Sequence, residues 1–235
     1  ASERVTSIAR INDVEDPVGN EPLSVTRNTD VGFRRLFKGP LAKITILMAV
    51  TWFAVNLAYY GIFTWLPNTV EVAGYVGSLY EYLLVVAVFQ FIGQVTGAYF
   101  IEVIGRKLTL GFLLLMGAAS TSLFATSLPG VTVSLGLPET TAFAIGLFAM
   151  GFALFGAWAV LYAYTSEIYP TEVRSTGLGL SGSVGKVAAA SGPILFGSLV
   201  SVGYLTALAP IAIVLFISGI LLLAFGEETM GETLE

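Results

Sequence analysis

The 235-residue chain contains no cysteine and no histidine. Without cysteine there is no disulfide framework, no thiol nucleophile and no cysteine-based metal site. Without histidine, imidazole proton relays, histidine metal ligands and a Ser-His-Asp triad are excluded. Charge is scarce as well. Asp, Glu, Lys and Arg together make up 11% of the residues, against about 25% in an ordinary soluble domain. No glycine-rich phosphate loop, metal cluster or catalytic pair of acids is visible, so no cofactor, metal or ATP-driven step is expected, and no enzyme. The net charge of −5 comes from acids clustered in the two tails and does not suggest a nucleic-acid partner. The first apolar run begins beyond residue 40, so no secretory signal peptide is expected at the front. The chain starts with Ala rather than Met, which hints at a fragment or a processed product.

What is present is apolar. Hydrophobic residues fill 55% of the chain and the mean hydropathy is +0.83, so its solvent is lipid. Six apolar stretches, 44–65, 79–103, 108–128, 141–166, 176–200 and 205–225, each approach the roughly 20 residues that cross a bilayer core. Breakers separate them: Pro67 and Gly74, Gly105, Pro129-Gly130 with Pro138, Pro170, and Gly203. The fold class is therefore an all-α membrane protein with six transmembrane helices. Its divisions are a polar segment 1–42, a six-helix bundle 43–225 and an acidic tail 226–235. Within the first segment, residues 2–11 form a candidate amphipathic helix with Val5, Ile8 and Ile11 on one face.

Charge orients the bundle. Arg34, Arg35, Lys38 and Lys43 precede the first span, Arg106 and Lys107 separate the second from the third, and Arg174 separates the fourth from the fifth. The other three connections carry no Lys or Arg. That alternation predicts a multi-pass protein with both tails in the cytoplasm.

Three motifs sit at span boundaries. IEVIGRKLTL occupies residues 101–110, SEIYPTEVRSTG residues 166–177, and YYGIFTWLP residues 59–67. A charged, proline-broken turn such as EIYPTEVR cannot face lipid and must lie at a membrane surface. Together with SERVTSIARIND at residues 2–13, these motifs resemble the C-terminal half, linker included, of a transporter of the major facilitator superfamily, in the group of metabolite:proton symporters and organic-ion transporters. Asn56 stands three residues before the paired tyrosines, not four as in the sugar-porter pattern, which favours organic ions over sugars.

The resemblance implies secondary active transport of a small organic solute, an organic anion coupled to protons, across the plasma membrane. It also implies alternating access between two six-helix halves with the solute held at the midplane. The N-terminal half would then be a partner of this chain, and would carry any coupling carboxylate. A sugar porter and a non-transporting receptor or sensor on the same fold are the alternatives.

Lys186 lies ten residues past Thr176, or about 15 Å into a core about 30 Å thick. A charge there costs roughly 2.5–3.5 kcal/mol to insert. Either it attracts an anionic substrate or it pairs with a carboxylate of the other half. The segment GKVAAASGP around it resembles an eleventh-helix pattern of the group, in which a cation occupies the cavity. Asn56, Tyr59, Tyr60, Gln90, Gln94 and Trp158 complete the expected substrate-binding set, each open to a plainer reading as helix bridge, interface anchor or core. Glu102, Arg106, Lys107, Glu167 and Arg174, with Glu172 nearby, form a cytoplasmic charge set. The resemblance makes these a latch that pairs in one conformation and parts in the other; plain topology signals are the alternative. Gly93 and Gly97, and the series Gly179, Gly182 and Gly185, mark faces where helices can approach closely.

Overall fold

The computed structural model describes residues 32–74, 79–131 and 136–231. The amphipathic helix expected at 2–11 lies outside the described residues. Among the described residues, seven α-helices follow a 3₁₀ turn at Phe33–Phe37: α1 (Pro40–Phe63), α2 (Leu66–Val72), α3 (Leu79–Val103), α4 (Arg106–Thr126), α5 (Glu139–Ile168), α6 (Arg174–Val200) and α7 (Tyr204–Phe225). Six of them, all but α2, are long and apolar enough to cross a membrane, and no strand occurs among the described residues. Each overlaps one of the six expected spans.

The differences lie at the ends and have local causes. α1 begins at Pro40, earlier than expected, because a proline in the first turn loses no hydrogen bond and comes with its φ already set. Pro67 does not break structure as expected. It occupies the first turn of the short helix α2, where the same reasoning applies. Arg106, Lys107 and Arg174, read as loop residues, are instead the first residues of α4 and α6. Gly105 makes the sharp α3–α4 turn at φ +96°, a backbone region that suits glycine. Residues 32–42, which the sequence places in the polar segment, fold onto the bundle through the buried Leu36.

The helices pack in a definite neighbour order. α3 lies on α5, α5 on α4, α4 on α7, and α7 and α6 both on α1, with α1 also touching α5. This makes α3, α5, α1 and α6 one layer, backed by α4 and α7. Small residues allow the closest crossings, as expected where lipid supplies no hydrophobic drive between helices. A Cβ added at Gly97 would stand 2.9 Å from the Gly156 carbonyl oxygen, and one at Gly192 would stand 3.0 Å from the Gly61 amide nitrogen. The expected Gly93/Gly97 face is thus where α3 meets α5. On α6 the series at every third residue is not the contact face. Gly179 meets nothing, and the buried stripe is Gly177, Ser181, Gly185, Ala188 and Gly192. That stripe follows the 3.6-residue turn, which a strict three-residue repeat drifts away from.

Burial is uneven across the layer. α1, α4 and α5 bury many side chains, whereas α3 buries only Val86, Gly93 and Gly97, and α6 mainly its small-residue stripe and Phe196. α3 and α6 therefore flank α5 and α1 as two lightly packed walls.

Candidate functional site

Between those walls is a concavity of about 330 Å³, lined from four helices. α1 contributes Tyr59 and Tyr60, α3 contributes Gln94, α5 contributes Phe155, Trp158 and Tyr162, and α6 contributes Lys186. Positions 155, 158 and 162 fall on one face because three- and four-residue steps return to the same side of a helix. Their rings form a wall. Trp158 and Tyr162 are stacked at 5.7 Å with planes 26° apart. Tyr59 meets it edge-on, 5.3 Å from Phe155 and 6.3 Å from Trp158. Tyr60 stands edge-on to Tyr59 at 5.0 Å. Opposite, the Lys186 ammonium lies 5.8 Å from the centroid of the Tyr60 ring, within cation–π range. No carboxylate lies within ion-pair reach of Lys186 among the described residues.

Five of the seven expected binding residues therefore meet at one site: Tyr59, Tyr60, Gln94, Trp158 and Lys186. Asn56 and Gln90 are not among the lining side chains. Asn56 is fully buried in the α1/α6 seam; its Nδ2 donates to the Trp52 carbonyl at 2.8 Å and its flank meets Gly185. Its Oδ1 has no partner among the described residues. Gln90 lies one turn from Gln94 and packs its stem near Gly151 of α5.

Trp52 was not singled out from the sequence, yet it supports the wall. Its ring is edge-on to Trp158 at 5.8 Å and to Tyr162 at 4.9 Å. Its indole N–H donates to Thr165 Oγ1 at 3.0 Å, and it packs on Gly185, the residue before Lys186. One buried side chain thus links three of the four helices that carry the site. In sequence it is one more aromatic in an apolar run. The only available signal was its position seven residues before Tyr59, two turns along the same face.

A second polar assembly lies at the end of the bundle where α4 begins. The Arg106 guanidinium donates to both oxygens of Glu167, through Nε at 2.9 Å and Nη2 at 3.2 Å. It also reaches Glu102 at 2.9 Å and the Ile101 carbonyl at 2.9 Å. Glu228, beyond α7, accepts the backbone N–H of Arg106 at 2.8 Å and of Lys107 at 3.2 Å. It thereby satisfies two orphan donors at the positive end of α4. Thr229 Oγ1 donates to Glu167 at 2.7 Å, and the Tyr164 hydroxyl to the Glu227 carbonyl at 2.6 Å. Residues 227–229 of the acidic tail are thus a structural strap across this end.

Of the expected charge set, Glu102, Arg106 and Glu167 come together, and Lys107 joins through its backbone. Arg174 does not pair with a carboxylate among the described residues. Its Nε donates to the Tyr169 carbonyl at 3.2 Å, closing the turn before α6. Glu172 instead pairs with Arg35 at 2.7 Å.

Comparison with known proteins gives a consistent result. Residues 16–235 match the family described as "Sugar (and other) transporter". The chain is 33% identical over 217 residues to the niacin transporter NiaP of Acinetobacter baylyi, covering 90% of the chain and 46% of that protein. It is 32% identical over 206 residues to solute carrier family 22 member 7 of Rattus norvegicus, covering 83% of the chain and 35% of that protein. It is 31% identical over 169 residues to the benzoate transport protein of the same Acinetobacter species, covering 72% and 34%. The chain spans about half the length, or less, of these curated relatives. With the motifs, the helix order and the family match in agreement, the chain belongs to the sugar (and other) transporter family of the major facilitator superfamily.

Proposed function

We propose that this chain is one half of a secondary transporter that carries a small organic anion with a flat ring, and that the aromatic–lysine concavity is its share of the binding site. One observation carries the reading: an ammonium with no carboxylate partner among the described residues, lining the same concavity as a wall of aromatic rings. A carboxylate on the solute would offset the cost of keeping Lys186 charged at that depth. A planar ring would lie against Trp158 and Tyr162. Niacin and benzoate, named for two of the relatives, combine these two features.

A sugar fits this lining less well. Each of its hydroxyls needs a hydrogen-bond partner, and the concavity offers chiefly ring faces, the Gln94 amide and tyrosine hydroxyls. Alternating access follows from the lightly packed walls α3 and α6, which are free to close against a second bundle. Proton coupling then falls to a carboxylate outside this site. Both chain ends face the cytoplasm of the plasma membrane in this proposal, since the Lys- and Arg-bearing connections all lie at that end.

Uptake of labelled nicotinate, benzoate and glucose into vesicles bearing the complete protein tests the reading. Uptake of either aromatic acid, falling about tenfold or more in Lys186→Gln and partly kept in Lys186→Arg, is the expected result. Unchanged uptake of the acids by Lys186→Gln overturns it. So does preferential uptake of glucose.

A further inference from the structure

We propose that the turn preceding α1 is a docking site for an anionic phospholipid headgroup. The turn spans Phe33–Phe37 and is held firmly. Leu36 is completely buried, and its carbonyl accepts the Thr45 hydroxyl at 2.9 Å. Arg35 is paired to Glu172 at 2.7 Å, which ties the turn to the α5–α6 connection. With Arg35 and Leu36 turned inward, Phe33, Arg34, Phe37 and Lys38 are left exposed.

This outward side combines two chemistries. Phe33 and Phe37 are 56% and 48% exposed, with ring centroids 5.3 Å apart. Arg34 and Lys38 stand beside them, and neither has a carboxylate within ion-pair reach among the described residues. Water is a poor host for two adjacent phenyl rings, and hydrocarbon is a poor host for two cations. The boundary between headgroups and acyl chains accommodates both. α1 starts three residues after the turn, so the turn lies at that boundary.

The surface continues into the bilayer in the right order. Lys43, in the first turn of α1, is exposed, with its ammonium 5.9 Å from the Phe225 ring. Ile46 is three residues deeper on the same face of α1 and also exposed. A phosphate near Arg34, Lys38 and Lys43 would therefore have its acyl chains running along Ile46. The committed occupant is a lipid of the surrounding leaflet, which in the orientation proposed above is the negatively charged cytoplasmic one. A zwitterionic headgroup fits less well, because its own ammonium would face three cations.

The test titrates the complete purified protein with phosphatidylglycerol and, separately, phosphatidylcholine, counting bound lipids by native mass spectrometry. The wild-type protein should hold the first phosphatidylglycerol on the order of tenfold more tightly than phosphatidylcholine. Arg34→Gln/Lys38→Gln should bring that ratio close to one without changing phosphatidylcholine binding. Phe33→Ser/Phe37→Ser should weaken both lipids. Higher salt should shrink the preference of the wild type and leave the charge variant unaffected. Should the double charge variant fail to fold, each single substitution should lower the ratio about threefold. A full preference retained by the charge variants overturns the proposal. Equal binding of both lipids by the wild type also overturns it, and leaves the rings and cations to a protein neighbour. Displacement of phosphatidylglycerol by equimolar inorganic phosphate would show that a free anion suffices, and would overturn the lipid as occupant.

Discussion

Two cations of this chain, Lys186 and Arg106, meet opposite treatments. Arg106 is saturated with counter-charge: Glu167 grips it from both oxygens, Glu102 and the Ile101 carbonyl take two further donors, and Glu228 caps its backbone. Lys186 faces a concavity and the π-face of Tyr60, with no carboxylate in reach among the described residues. A saturated charge holds a shape, because moving it breaks several bonds at once. An unsaturated charge lining a concavity between apolar helices leaves a bonding requirement that something else must meet. On the function proposed above, the difference separates a charged end that holds the bundle's shape from a concavity that would meet a solute.

Breaking Arg106 should have the largest effect on stability. Arg106→Ala leaves the partly buried Glu167 without its cation, with only Thr229 still donating to it, and should cost about 1–3 kcal/mol. A large fall in melting temperature in lipid nanodiscs is the expected outcome. Lys186→Gln should not destabilise the protein in the same assay and should raise its melting temperature slightly, since it removes an uncompensated charge. Equal losses for the two variants would erase the contrast.

A smaller effect belongs to Trp52. Trp52→Phe keeps the aromatic bulk but loses the bond to Thr165 and tilts the wall under Trp158 and Tyr162. The lost hydrogen bond should lower stability by about 1 kcal/mol. The solute concentration for half-maximal uptake should rise while the maximal rate holds. A change confined to the maximal rate would detach Trp52 from the binding wall.

The strap comes next. Glu228→Gln removes a carboxylate from the positive end of α4 and should cost about 0.5–1 kcal/mol. If the assembly acts as a latch, the same change should shift cysteine labelling at the two ends of the bundle in opposite directions. Labelling that does not move would reduce the strap to a helix cap.

The smallest effect is expected at the half-exposed Arg35–Glu172 pair, where Glu172→Gln should cost about 0.5 kcal/mol or less. A loss as large as that of Arg106→Ala would mean that this pair, and not Arg106, anchors the charged end.

Much of the site was legible because helical spacing is geometric. Gln94 could be read as polar and intramembrane, Trp158 as sharing a face with Tyr162, and Lys186 as mid-depth, from position alone. Asn56 could not be placed, since a polar residue on the cavity-bearing helix can turn into the cavity or into the seam. The closeness of Gly185, a contact between α1 and α6, turns it into the seam. Arg174 looked like a partner for the acids around it, but among the described residues its side chain reaches the carbonyl that its own turn exposes and no carboxylate.

The amino-acid order by itself determined that lipid is the solvent, that six helices cross it, and at which depth each charge sits. These follow from apolar run length, a fixed rise per residue and the cost of charge in hydrocarbon, all local to the chain. Only the tertiary structure decided which helices are neighbours, and with that which rings form the wall, that Lys186 meets no carboxylate among the described residues and that Glu228 crosses to cap α4. Those outcomes depend on small residues such as Gly97, Gly156 and Gly192 allowing particular pairs of backbones to touch, a property of two surfaces at once that neither helix's sequence contains alone.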